Sequence, residues 1–477
     1  MTRRILLRAA RSPFDTANAA ETVQQNLIAT NVGNLLFSDA AYRTLATTDV
    51  EVVPNGPRLN ADTADPEQVN EEYDAFVVPL ANAFRPEFVR HLNSLSTFIE
   101  RLTIPVTVLG VGAQSDLDYT LQRNDRLDAA ARRFLTAVLD RGPSVGVRGE
   151  YTARYAKSLG FSDVEVIGCP SMFFHGDHMA VHKAAEFGAS SSLALTASPS
   201  VPDWGAALAD VYAEYSRATY FPQNISDLDI LLWGDLTREK DAPATRPRSM
   251  AHPLLREGAV RFPLDSHSWV SALREFDFTL GTRIHGAVAS LLAGTPAFVI
   301  CHDSRTLELC EYFAIPHVRA PQIRGDIDPH KFFEQADYSE TMTGHIARRK
   351  RMTDFIASHG LATVFDDGQD GGAGFDARLA DIDFPEPVRP WDGHDDGLLG
   401  YRFAWLRDAD GKQTRRAHAL EQRVDRIEGG LGGADAGEGL AAASRRIVEL
   451  EKRIAELERP LWRRLGGRLR RALRRRA

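Results

Sequence analysis

The sequence predicts an α/β protein of two Rossmann-like domains facing a cleft, followed by a C-terminal helical and coiled-coil extension. Three observations carry that expectation. Short apolar runs alternate with helix-patterned segments over the first ~170 residues. A second series of the same kind begins near Ser191. A heptad pattern of apolar residues appears only after Gly439. A chain of 477 residues is too long for one ordinary domain and suits two with extensions. The expected divisions are 1–175, 176–362, a linker or irregular arm over 363–440, and a coiled coil with a basic amphipathic tail over 441–477.

In the first series the strand candidates are Val50–Val53, Ala75–Pro79, Val106–Gly110, Ser144–Val147 and Val164–Ile167, each apolar and rich in β-branched residues. Helical patterns fill Asn34–Leu45, Pro86–Arg101, Asp125–Asp140 and Tyr151–Leu159, and Gly160 stops the last. In the second series the strands are Ser192–Thr196, Ile230–Trp233, Phe278–Leu280 and Ala297–Cys301. Its helices are Trp204–Ala218, Ser266–Glu275, His285–Ala293 and Thr306–Phe313, with a helical stretch at Ser339–Ser358. Asp366–Asp396 is rich in Asp, Gly and Pro and reads as linker. Ile447, Leu450, Ile454, Leu457 and Leu461 form a short coiled-coil seam, which predicts a homodimer. Leu461, Leu465, Leu469 and Leu473 then recur among arginines beside Trp462, a pattern suited to an anionic membrane surface.

Charge is unevenly spread. The net charge is −8, yet Arg459–Ala477 holds nine arginines and no acid, so the preceding body carries −17. An acidic body excludes a nucleic-acid-binding core. Three cysteines without a CxxC spacing argue against a disulfide scaffold and for a reducing compartment. The start of the chain lacks a continuous apolar core with a cleavage site, and the longest apolar run, Gly286–Cys301, is broken by Gly294-Thr295-Pro296. The expectation is a cytoplasmic protein, held at most peripherally at the inner membrane face.

The chemistry concentrates in Asp277–Gly286. A strand ends at Leu280, Thr282 is placed to cap a helix, and Arg283 and His285 fall in the first helical turn. Free backbone N–H groups and the helix dipole favour an anion there. Ligands of open α/β sheets gather at strand carboxyl ends. Arginine adds a forked donor, and histidine exchanges a proton near neutral pH. Arg148 sits at a similar strand-to-helix junction, where the plainer alternative is a salt bridge with Glu150. Gly112 and Gln114, in the turn Gly110–Gln114, and Asn34, in Asn31–Asn34, stand where backbone is able to approach a ligand, or where an ordinary tight turn is made. Asp303 and Arg305 follow the last central strand, where a cap by Asp303 or Ser304 competes with substrate contact. His175 and His178 resemble a metal pair, but two ligands make no site.

Taken in order, Asn31–Asn34, Gly110–Gln114, Val145–Arg148, Gly168-Cys169-Pro170, Gly281–Gly286, Gly294-Thr295-Pro296 and His302–Arg305 resemble the polysaccharide pyruvyl transferase family over roughly residues 20 to 350. The resemblance implies a glycosyltransferase-B-like pair of Rossmann domains and formation of a pyruvate ketal on a saccharide, with phosphoenolpyruvate as donor and no cofactor or metal. It maps the family's anion-binding arginines onto Arg148 and Arg283, and its histidine onto His285, expected to be protonated and to donate to the methylene carbon. Asn34 stands where the family usually has Asp, Ala81-Asn82 where it has Gly-Gly, and Cys169 where it has Asp. The acceptor expected is a saccharide, lipid-linked or free. A nucleotide-sugar glycosyltransferase of the same architecture and a non-catalytic sugar-binding scaffold are the competing readings.

Overall fold

The computed structural model describes residues 2–56, 65–121, 123–198, 201, 204–233 and 252–390, with isolated positions 407, 411, 415 and 419 beyond. Both α/β series belong to one compact unit, Met1–Leu231 with Arg238–Pro390. A second unit, Leu232–Thr237 with Trp391–Ala477, falls almost wholly outside the described residues, and so do the expected coiled coil and basic tail.

The first half opens with β1 (Arg3–Leu7), α1 (Ala19–Gln25), α2 (Gly33–Leu45), β2 (Val50–Pro54), α3 (Pro66–Glu72), β3 (Ala75–Pro79), β4 (Asn82–Phe84) and α4 (Val89–Glu100). It continues with β5 (Val106–Leu109), β6 (Gly112–Ala113), α5 (Asp125–Leu139), β7 (Val145–Val147), α6 (Glu150–Ser158) and β8 (Val164–Val166). Its main sheet is parallel in the order β2-β1-β3-β5. Val111 bridges Val147 and extends this sheet to the parallel pair β7-β8. β3 is buried at all five positions, as a central strand covered on both faces requires.

The second half holds β9 (Leu193–Thr196), α7 (Trp204–Glu214), β10 (Ala218–Tyr220), α8 (Ile225–Trp233), α9 (Pro253–Arg256), α10 (Ser266–Leu273), β11 (Phe278–Gly281) and α11 (Ile284–Ala293). β12 (Ala297–Cys301), α12 (Ser304–Phe313), β13 (His317–Arg319), α13 (Pro329–Gln335), α14 (Ser339–Thr343), α15 (His345–Ser358) and α16 (Ala373–Ala380) complete it. Its sheet is parallel throughout, in the order β10-β9-β11-β12-β13. Phe187, Phe278 and Phe333 interlock beneath it with ring centroids 4.9 to 5.4 Å apart. Truncating such a ring to alanine costs about 3–5 kcal/mol.

The structure corrects several expectations. The apolar run Ile230–Trp233 is the last turn of α8, not a strand. The helix expected to reach Ala218 stops at Glu214, and Ala218 opens β10. The arm after residue 362 is not wholly irregular. Asp370 accepts from the Gly372 and Gly374 amides to start α16, whose buried Phe375 packs on Phe14 and Tyr42.

The halves are fastened together directly. The Asn31 amide donates to Asn224 Oδ1 at 2.8 Å, Val32 N–H to the Gln223 carbonyl at 3.0 Å, and Ile225 N–H to the Thr30 carbonyl at 3.0 Å. On the other flank Ser115 N–H donates to Ser304 Oγ at 2.7 Å.

Candidate active site

Each sheet reverses its strand order once, the first between β1 and β3 and the second between β9 and β11. At such a reversal the loops leaving the strand carboxyl ends diverge to opposite faces, and the crevice between them takes ligands. The candidate residues come from these two points and from the ends of β5, β7 and β12.

At the second reversal, Thr282 N–H donates to the Thr196 carbonyl at 3.0 Å, and Thr282 Oγ1 accepts the Ser198 N–H at 2.7 Å. Thr282 is therefore a tie between β11 and the loop after β9, not the helix cap expected from sequence. Arg283 takes the cap position in extended conformation and gives no side-chain cap hydrogen bond. Its Nε donates to the Ala197 carbonyl at 3.0 Å, which ties the side chain to the loop after β9. His285 follows in the first turn of α11 and lies against Phe37 of α2, ring centroids 5.9 Å apart. A methyl group on Gly33 would come within 2.5 Å of His285 Nδ1, so the imidazole rests on bare backbone there.

The His285 ring is only partly exposed and its Nε2 is buried with no hydrogen-bond partner. Burial, reinforced by the charges of Arg148, Arg305 and Arg283, pulls its pKa down to about 3. The imidazole is thus neutral at physiological pH. Burial is the larger cause and the three guanidiniums add to it; the protonated donor expected from sequence concerns the complex with an anionic donor, whose charge the free protein lacks.

Arg148 leaves the end of β7 and is 2% exposed. Its Nε and Nη2 have no partner. It makes no salt bridge with Glu150 among the described residues. A side chain on Gly112 would collide with the Arg148 guanidinium, so glycine in β6 is what lets the arginine lie there. Burial lowers the Arg148 pKa most, while nearby Cys169 and Glu308 favour its charge. Glu308 of α12 reaches across to the start of α6, accepting from Thr152 N at 2.7 Å and Thr152 Oγ1 at 2.9 Å. Desolvation raises the Glu308 pKa to about 7, so the carboxylate only partly offsets the arginine.

Asp303 caps α12, accepting from Thr306 N at 3.0 Å, and also binds Arg305 Nη2 at 3.0 Å. The capping alternative therefore holds for Asp303, which orients Arg305. Gln114 is exposed and accepts from Asn82 Nδ2 at 2.6 Å. Asn34 donates to the Ala29 carbonyl at 2.8 Å.

At the first reversal a cavity of about 470 Å³ opens between Arg8–Ala10, after β1, and Leu80–Ala83, after β3. Asn34 and Phe37 of α2 form one wall, Arg85 and Phe88 another. Phe37 is the ring that touches His285, and Arg85 lies within electrostatic reach of Arg305 and Arg148. Sequence reasoning missed Arg8 because β1 went unrecognised, its only signal being the short apolar run Ile5-Leu6-Leu7 after two arginines; Phe37 and Arg85 stand on or beside expected elements and carry no motif that marks them. Asn82, noted only as a departure from the family pattern, is 6% exposed with a partnerless Oδ1. Among the described residues, no three His, Cys, Asp or Glu side chains are grouped to hold a metal ion, so His175 and His178 have no third ligand.

No curated protein matches the sequence. Solved structures with similar folds include a functionally uncharacterised protein from Klebsiella pneumoniae, at 12% identity over 67% of this chain and 94% of that one, TM-score 0.36. Another is a UDP-GlcNAc 2-epimerase from Methanocaldococcus jannaschii, at 9% identity over 80% and 99%, TM-score 0.38. A third is an Escherichia coli heptosyltransferase, at 13% identity over 62% and 88%, TM-score 0.26. The polysaccharide pyruvyl transferase family model matches residues 31–304, more than half of the chain, from the Asn31–Asn34 loop through Arg148, Arg283 and His285 to the start of α12. With its two parallel α/β halves and the arginines and histidine set at their strand ends, this chain belongs to the polysaccharide pyruvyl transferase family.

Proposed function

We propose that the protein transfers the pyruvyl group of phosphoenolpyruvate to two hydroxyls of a saccharide, forming a ketal and releasing phosphate. The observation that carries this reading is a neutral imidazole with a partnerless Nε2 beside the buried, partnerless guanidinium of Arg148, with Arg283 and Arg305 close by. Such a recess complements a small, multiply charged anion. Arg148 and Arg283 hold the donor's phosphate and carboxylate, and Arg305, held by Asp303, adds charge. Gly112 leaves room for Arg148, and Thr282 fixes the loop that carries Arg283.

The saccharide occupies the 470 Å³ cavity at the first reversal, where Asn34 and Asn82 offer amides and Phe37 and Phe88 offer ring faces. Gln114 holds the Asn82 amide in place. The bound donor's negative charge lifts the pKa of His285, so that its Nε2, neutral in the free protein, takes up a proton. That proton passes to the methylene, whose double-bond electron pair forms the new C–H bond as it becomes methyl; the central carbon is left electrophilic, and the first hydroxyl adds to it, its proton returning to the imidazole. The C–O bond to phosphate then breaks, the second hydroxyl closes the ketal, and its proton leaves with phosphate. Proton transfer of this kind contributes about 10²–10⁴ in rate, and each charged donor to the departing oxygens about 10²–10³.

The test is phosphate release from phosphoenolpyruvate across lipid-linked and nucleotide-linked saccharides. Phosphate release that depends on the saccharide and is abolished by His285→Ala in a folded protein supports the reading. Release of a nucleoside diphosphate from a sugar nucleotide would establish the glycosyltransferase alternative, and turnover of neither donor a binding scaffold. The proposal extends to residues 441–477 as a dimerising coiled coil and a basic membrane contact on the cytoplasmic side. Liposome flotation of the full chain and of a chain ending at residue 440 tests the membrane part, and equal binding by both refutes it.

A further inference from the structure

Away from the active site, a cavity of about 400 Å³ lies at the opposite end of α11, against Leu291–Gly294. Its polar lining is Arg43, His175, His178, His182, Arg274 and a single acid, Asp376. The wall is built and pinned. The Gly176 carbonyl is bonded to His345 Nε2 at 2.7 Å, Asp177 pairs with Arg349 at 2.6 Å, and His182 N–H donates to the Gly294 carbonyl at 2.8 Å.

Two buried nitrogens in this lining have no partner: Arg43 Nη1, on a side chain 4% exposed, and His175 Nε2. Arg43 spends its other nitrogens on both oxygens of Asp376, at 2.8 and 2.6 Å, and on the Gly371 carbonyl. Asp376 is thereby used up, and no salt bridge to Arg274 is found among the described residues. His175, His178 and His182 do not form a metal-ligating group with any acid nearby. With Arg43 offset by Asp376 and His175 held neutral by burial, the lining keeps the guanidinium of Arg274, three imidazoles and the unsatisfied buried N–H of Arg43 Nη1 around a formed cavity, an arrangement that suits an anion. The C-terminal end of α11, with its negative dipole, accounts for one or two basic neighbours but satisfies neither buried nitrogen.

The geometry points to a second anion-binding site here, separate from the catalytic recess, that takes a phosphate-class dianion between Arg43, Arg274 and the histidines of the 175–182 segment. It does not depend on the reading of the active site. Inorganic phosphate is the probe. With histidine labelled in the full chain, the imidazole resonances of His178 and His182 are assigned from His178→Gln and His182→Gln. Phosphate, against sodium chloride of equal ionic strength, shifts both resonances in the wild type and in Arg283→Ala, whose catalytic recess is impaired. In Arg274→Ala, an exposed position whose change leaves the fold intact, the phosphate concentration needed rises at least tenfold. Arg324→Ala, an exposed change elsewhere, leaves the titration as in the wild type. Resonances that do not move in the wild type, or that move equally in Arg274→Ala, overturn the site.

Discussion

Replacing Gly33 with alanine tests whether the position of His285 governs turnover. The new methyl lies 2.5 Å from His285 Nδ1 and 2.9 Å from Asn31 Oδ1. Ordinary heavy-atom contacts need about 3.5 Å, so the ring must retreat by about 1 Å. The imidazole is a side-chain end and is able to move, so the fold does not suffer. Alanine at the first residue of α2 favours the helix by about 0.5–1 kcal/mol over glycine. A displacement of about 1 Å at a reacting group costs about 10²-fold in turnover. The expected outcome is a protein with unchanged or slightly higher Tm and a kcat for phosphate release about 10² lower. Gly188→Ala, where a methyl meets nothing within 4 Å, is the control and keeps full activity. A folded Gly33→Ala protein with near-normal kcat would refute the assignment of His285 to the chemistry.

Other expectations follow from the same site. Cys169→Asp, which restores the family's usual acid beside Arg148, gives that guanidinium a buried counter-charge; KM for phosphoenolpyruvate rises at least tenfold without loss of Tm, and an unchanged KM would contradict the role of uncompensated charge at Arg148. In histidine NMR titrations of the free protein, His285 stays neutral well below pH 5, and phosphoenolpyruvate moves its midpoint upward; a free-protein midpoint near 6.5 would remove the electrostatic argument. Because its folded pKa lies below the unfolded value, the unfolded chain binds the proton more readily between pH 6.5 and about 3, so this group lowers stability as pH falls through that window. His285→Gln removes that component, and Tm measured against pH shows it as a shallower acid slope.

Much of this arrangement is legible in the sequence because β-branched runs and helix punctuation agree locally. Ala75–Pro79 and Ala297–Cys301 are strands over their expected ranges, and the strand–turn–helix of Asp277–Gly286 sets His285 in the first helical turn as the pattern places it, with Arg283 at the cap just before. What escaped depends on contacts distant in sequence. β1 is five residues, two of them arginines, and is a strand because β2 and β3 flank it. Ile230–Trp233 is uniformly apolar, so its period is unreadable, and α8 claims it. The protonation state of His285 is invisible in sequence, since Arg148 and Arg305 come from elements more than a hundred residues before and twenty after. The cavity at the first reversal stayed hidden with β1, whose carboxyl end forms one of its lips.

The ties that run from Asn31 and Val32 to Gln223 and Asn224, and from Ser115 and Thr152 to the residues of α12, sit on both flanks of the crevice. A two-lobed enzyme stapled at both margins has no free axis to swing about. A ligand then meets an aperture of set width, with the orienting entropy spent during folding rather than at each encounter.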